Sequence, residues 1–163
     1  EDGTVYYRFI NGSFMVGGHG FKNAGKSSED SPAPARAPDF TDEMPILSHA
    51  HLVYRLCGDY NPLHLDPKDK RVKAGGFPAP ILMGLCTLGH VTRQVLRTCA
   101  GDDPRRFRAV KVRFAAPVYP GQTLITQMWD EGGGKIVFST KVKESGKTVI
   151  SNAFIELTPQ ARL

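Results

Sequence analysis

Apolar and polar positions alternate most regularly in the second half of the chain. Val110, Val112 and Phe114 alternate with Lys111 and Arg113, and Pro117 ends the run, which predicts a strand. Residues 119–122 (YPGQ) read as a turn and 123–130 (TLITQMWD) as a second strand. EGGGK then turns into 136–144, IVFSTKVKE, where Ile136, Phe138, Thr140 and Val142 share one side. The turn at 145–147 leads into a fourth strand, TVISNAFIEL, residues 148–157. Upstream, after Pro80, lies the longest helical pattern, ILMGLCTLGHVTRQVLRTCA. Leu82, Leu85, Cys86, Leu88, Gly89, Thr92, Val95, Leu96 and Cys99 fit one broad buried stripe. Gly84 and Gly89 weaken it as an isolated helix but permit close approach to another element or a ligand. A long helix followed by an antiparallel meander is an α+β arrangement, and wrapping the sheet around the helix buries a face of each.

Earlier segments are shorter and less periodic. Residues 48–59, SHAHLVYRLCGD, predict a short helix with Ser48 as cap and Leu52 and Leu56 inward, beside Ala50 or Val53. Asp66-Pro67 allows another short helix before Gly75-Gly76. Residues 4–16, TVYYRFINGSFMV, read as strand material, with Asn11-Gly12 as a turn signal. Residues 27–40 are rich in Ser, Pro, Ala and Asp and read as a flexible linker with nothing to bury. The expected organisation is therefore 1–26 as the tail of another unit, 27–40 as linker and 41–163 as one complete domain.

Composition narrows the function classes. No stretch of the 163 residues approaches the apolar length of a membrane span, and residues 1–16 lack the apolar run of a secretory signal. Cys57, Cys86 and Cys99 share no metal-ligand spacing and read as free thiols. The formal charge of +5 suits a nucleic acid or a phosphorylated small molecule. Its local concentration, Arg105, Arg106, Arg108, Lys111 and Arg113, has no RNA-binding signature around it. It reads as solvated surface or as a phosphate contact. Residues 20–27, GFKNAGKS, match the phosphate-loop spacing, but Pro32, Pro34 and Pro38 bar the helix that must follow such a loop. Nucleotide binding is not expected.

The densest polar cluster is CGDYNPLHLDP, residues 57–67, pinned by Pro62 and Pro67. Such a loop can face a carboxylate and an imidazole into one cavity, as proton transfer requires. Asp59 and Asn61 can equally make local backbone turns, with His64 structural. Residue chemistry leaves both readings open. His19, His49, His51 and His90 read as structural or solvated, and Trp129 as packing.

The run YRLCGDYNPLHLDP followed by GGFPAPILMGLCTLG, continuing through VKVRFAAPVYPGQTL to ISNAFIEL, resembles the MaoC-like, or type-2, enoyl-CoA hydratases. It is most similar to the hydratase units of peroxisomal multifunctional beta-oxidation enzymes. The resemblance covers residues 48–157 and implies the hot dog fold, a sheet wrapped around a long helix. It implies reversible hydration of a trans-2-enoyl-CoA to the (3R)-3-hydroxyacyl-CoA. Asp59 and His64 would be the catalytic pair, Asn61 an organiser of the site, and the Gly84 amide the receiver of the thioester oxygen. One position departs: the family usually has His where this chain has Met83.

The same resemblance implies a double hot dog, with residues 1–26 as the end of a missing N-terminal half. Expected partners are the acyl-CoA thioester, that half, and a second copy in a homodimer; neither nucleic acid nor membrane is expected. Arg106 and Arg108 are candidate contacts for the coenzyme A phosphates. No cofactor is expected, coenzyme A being part of the substrate. The chain's last residues, Ala161-Arg162-Leu163, resemble a peroxisomal address. The rival reading is a non-catalytic acyl-CoA-binding module of the same fold.

Overall fold

A computed structural model describes residues 2–12, 19–20 and 30–158. Five strands form one antiparallel sheet: β1 (Phe40–Pro45), β2 (Phe107–Phe114), β3 (Thr123–Asp130), β4 (Lys135–Val142) and β5 (Thr148–Leu157). Their spatial order is β1-β3-β4-β5-β2. Two short helices, α1 (Ala50–Arg55) and α2 (Lys70–Ala74), precede the long α3 (Gly84–Cys99). The sheet packs against α3, which meets β1, β2, β3 and β4. This is the hot dog arrangement. The core joins Val91 and Val95 of α3 to Leu124, Met128, Phe138, Ile150 and Ile155 of the strands, all fully buried.

The alternation predicted for the second half holds because one face of the sheet joins the core that α3 shares. β3 and β5 occupy the expected residues, and Ile136, Phe138, Thr140 and Val142 are all buried on β4. The Gly132–134 turn carries three positive φ angles, and a β-carbon on Gly134 would collide with the Leu157 carbonyl oxygen.

Other expectations are corrected. The buried residues of α3 are Cys86, Thr87, Val91, Gln94 and Val95, whereas Leu85 is 57% exposed. The stripe is set by the i, i+4, i+7 and i+8 positions from Thr87, two of them polar, so counting leucines misjudges its direction. A β-carbon on Gly89 meets nothing, so only Gly84 shows a close approach. α1 is one and a half turns, too short for the expected stripe; Leu52 and Leu56 are exposed, while Ala50 and Tyr54, one turn apart, face the core. His49, not Ser48, stands at its N-cap, without a side-chain cap bond. α2 begins later than Asp66-Pro67, because Asp69 caps it by accepting from the Arg71 amide at 2.8 Å.

Residues 4–12 form no strand, and Val5, Tyr6, Tyr7, Phe9 and Ile10 are exposed. A strand needs a laddered neighbour, and none lies beside this segment among the described residues. Residues 30–39 are irregular, as expected of a linker, but are anchored to the sheet. Trp129 is buried and its indole N–H donates to the Arg36 carbonyl at 3.0 Å. The Ser31 amide donates to Asn152 at 2.9 Å, and Asp39 N–H to the Met128 carbonyl at 2.9 Å. β1, which follows directly, is an element that the sequence pattern did not predict.

Candidate active site

Between α1 and α3 the chain makes one polar loop. Gly58 takes φ +100°, where other residues are strained, and frees the turn out of α1. Asp59 Oδ1 accepts the Asn61 amide at 3.2 Å, and Asn61 Oδ1 accepts the Leu63 amide at 3.2 Å. These bonds cap a single 3-10 turn, Pro62–His64, that begins with proline. The turn delivers His64, whose Nδ1 lies 2.8 Å from the Ile81 carbonyl oxygen. A carbonyl only accepts, so Nδ1 carries a proton, and in the tautomer this bond selects the lone pair lies on Nε2.

His64 and Gly84 line one cavity of about 300 Å³, together with Phe77, Thr87, Phe114 and several small or aliphatic residues. Gly84 opens α3. Its N-cap, Met83, makes no side-chain cap bond, and the first turn holds no acidic residue. The Met83 carbonyl accepts both the amide and the hydroxyl of Thr87, at 3.1 and 3.3 Å. The first amides of a helix lack intrahelical partners and sit at the positive end of its dipole. Here that end meets a cavity also lined by an imidazole. The arrangement suits an oxygen that gains negative charge beside a base.

Not every predicted site residue reaches the cavity. Asp59 and Asn61 stand half-buried on the same loop but do not line it. Met83 is 1% exposed and packs in the apolar cluster, so its side chain takes up core rather than cavity. Arg106 is engaged elsewhere: its guanidinium donates to the Thr158 carbonyl at 3.2 Å and the Cys99 carbonyl at 3.5 Å. Arg108 lies 3.7 Å from Glu156 with a side chain 71% exposed. It stands six residues before Phe114 on β2, about 20 Å along a strand.

Phe77, Phe114 and Thr87 are lining residues that the sequence reading did not assign to the site. Phe114 carried a signal, as an apolar position on the inward face of its strand. Phe77 carried none, because its place depends on how the loop folds back.

Several titratable groups around the loop and along α3 are shifted by burial. Burial, then Cys57, Cys86 and Asp59, push the Tyr54 phenol upward, so it stays protonated. Burial, then neighbouring His49, lowers the pKa of His51; burial, then Arg93, lowers that of His90. The three thiols are free; burial pushes Cys99 up to about 11 and also raises Cys86. Among the described residues no cluster of three or more His, Cys, Asp or Glu could hold a metal, and no helix is long and apolar enough to cross a membrane. The phosphate-loop match at 20–27 and the terminal tripeptide lie largely or wholly outside the described residues.

The profile of the family described as MaoC like domain matches residues 29–153. A mouse protein named peroxisomal multifunctional enzyme type 2 is 49% identical over 149 residues, 90% of this chain and 20% of its own. An Arabidopsis thaliana protein named enoyl-CoA hydratase 2, peroxisomal, is 40% identical, covering 85% of this chain and 47% of its own. The crystal structure of a MaoC-like dehydratase from Phytophthora capsici superposes with a TM-score of 0.82 at 40% identity, over 89% of this chain and 51% of that one. The chain thus spans only about a fifth to a half of these relatives.

Proposed function

Because the chain belongs to the family of MaoC-like domains, we propose that it carries out the reversible hydration of trans-2-enoyl-CoA to (3R)-3-hydroxyacyl-CoA, within fatty acid beta-oxidation. The observation that carries this reading is the meeting of His64 and the uncapped start of α3 at one apolar-walled cavity. The thioester oxygen accepts the Gly84 amide. His64, in the cavity lining, holds a water, and the family resemblance assigns Asp59, beside it on the loop, to the same water. As its oxygen bonds C3, a proton passes to the Nε2 lone pair that the Ile81 bond leaves free. The resulting enolate, held at the helix start, is protonated at C2. Water supplies both the hydroxyl and the hydrogen gained, so the balance needs no cofactor. Asn61 shapes the turn that presents the pair.

Arg108, with its exposed fork, is the better placed of the two arginines for a coenzyme A phosphate. A companion N-terminal half, of which residues 1–26 are the end, is supported by the exposed Leu47, Leu52, Val53, Leu56 and Leu85 around α1 and the start of α3. It agrees with the chain's small share of its relatives. A second copy across a homodimer is the other candidate for that face. A peroxisomal site of action is supported by the names of the relatives. Fluorescent protein ending in residues 152–163 should enter peroxisomes, and should stay cytosolic when Leu163 is removed. The activity itself is tested by mixing the protein with crotonyl-CoA and following loss of the enoyl absorbance. A stable signal, with or without a co-expressed N-terminal half, would reject it.

A further inference from the structure

Phe114 is both rim and wall of the cavity: it lines the space yet is 48% exposed. Val110 and Val112, on the same face of β2, pack against the core, so the alternation turns Phe114 toward α3. A β-carbon on Gly84 would stand 3.5 Å from Cε1 and Cζ of the Phe114 ring and 3.7 Å from Cδ1. The ring edge is therefore one methyl away from Gly84, too close for an acyl chain to pass between them. A carbonyl oxygen bound to an amide sits about 2.9 Å from its nitrogen, with the carbonyl carbon about 1.2 Å beyond. The carbonyl of a thioester held by Gly84 therefore lies within about 4 Å of the amide, in the same cavity that Phe114 lines, and these are atoms that every substrate shares.

We propose that Phe114 is a positioning residue for the thioester, closing one side of the Gly84 amide so that the carbonyl of every substrate, whatever its acyl length, is held in one orientation. This rests on the hydratase reading. The ring donates no proton and makes no bond; it removes an alternative pose. Misplacing a reacting group by 1 Å can cost on the order of 10²-fold in rate. Loss of one wall is expected to cost about tenfold.

The test compares wild type, Phe114→Ala and Phe114→Leu in the full chain. With four-carbon and ten-carbon enoyl-CoA substrates, Phe114→Ala should lose about tenfold in kcat for both, with KM changed less than threefold. Phe114→Leu, which keeps most of the bulk, should recover most of the loss. A second readout does not need turnover. The absorption of bound cinnamoyl-CoA moves to longer wavelength when its carbonyl accepts a strong hydrogen bond. Wild type should show that shift, and Phe114→Ala should bind the probe with a smaller one. A loss confined to the ten-carbon substrate, a rise in KM alone, or an undiminished shift in Phe114→Ala would overturn the proposal. If wild type hydrates crotonyl-CoA and Phe114→Ala matches it, Phe114 alone is misjudged. If wild type neither hydrates nor shifts the probe, the hydratase reading fails and takes this one with it.

Discussion

Under the middle of α3, Gln94, Thr126 and Thr140 are completely buried and satisfy one another. Gln94 Nε2 donates to the Asp42 carbonyl at 3.0 Å, Thr126 donates to Gln94 Oε1 at 2.8 Å, and the two threonine hydroxyls lie 3.0 Å apart. At the start of the same helix the bonding is left incomplete. The cap is missing, and among the described residues the His64 ring bonds through Nδ1 alone. Both regions bring polar groups to one helix. Where the groups are closed off from water they are paired, because an unpaired buried donor or acceptor costs roughly 1–3 kcal/mol. Where they face a cavity the unused capacity is available to a ligand. One helix is thus closed along its middle and open to a ligand at its first turn, where the proposed reaction is seated.

The largest effect that would sharpen this contrast is loss of the pair. His64→Ala and Asp59→Asn should each lower kcat by roughly 10²–10⁴ while the melting temperature stays close to wild type. Activity near wild type in either variant would break the assignment. Next in size is Gly84→Ala. Its β-carbon meets Phe114 at ordinary contact distance and Gly84 has no positive φ, so the fold should hold. The added methyl crowds the thioester seat, and kcat/KM should fall by about 10- to 100-fold. A variant that fails to fold would show that Gly84 serves the scaffold instead.

The buried triad should respond in the opposite manner. Thr126→Val removes the hydroxyl that joins Gln94 to Thr140 and should cost about 1–3 kcal/mol, read by urea denaturation. Turnover per folded molecule should not change. The smallest effects separate the two arginines. Arg106→Ala should lose about 1 kcal/mol of stability through the Thr158 and Cys99 carbonyls, without raising KM. Arg108→Ala should raise KM for an enoyl-CoA a few-fold at low salt, the effect fading as salt rises. The reverse pattern would move the phosphate contact to Arg106.

The contrast also marks what the sequence discloses. β3 and β5 were legible residue by residue, since one side of each joins the core and turn residues bound both ends. β1 was not. FTDEMP has one buried residue, Met44, so an edge strand of this kind leaves almost no alternation to read. On α3 the leucines misled, because Thr87 and Gln94 occupy the buried face and Leu85 does not. The polar loop stood out by its residue types, and the family resemblance gave its members roles. The cavity walls did not stand out: Phe77 and Phe114 come together only through the path of the loop and the sheet. Nor did the anchoring of residues 30–39, which depends on backbone carbonyls such as that of Arg36.

The most direct test of the central claim pairs wild type with His64→Ala in one absorbance experiment on crotonyl-CoA. Wild type should lower the enoyl signal to an equilibrium approached from either side, and His64→Ala should do so at a rate at least about 100-fold lower at unchanged stability. A protein that binds crotonyl-CoA yet leaves its absorbance untouched, or a His64→Ala variant as fast as wild type, would contradict that claim.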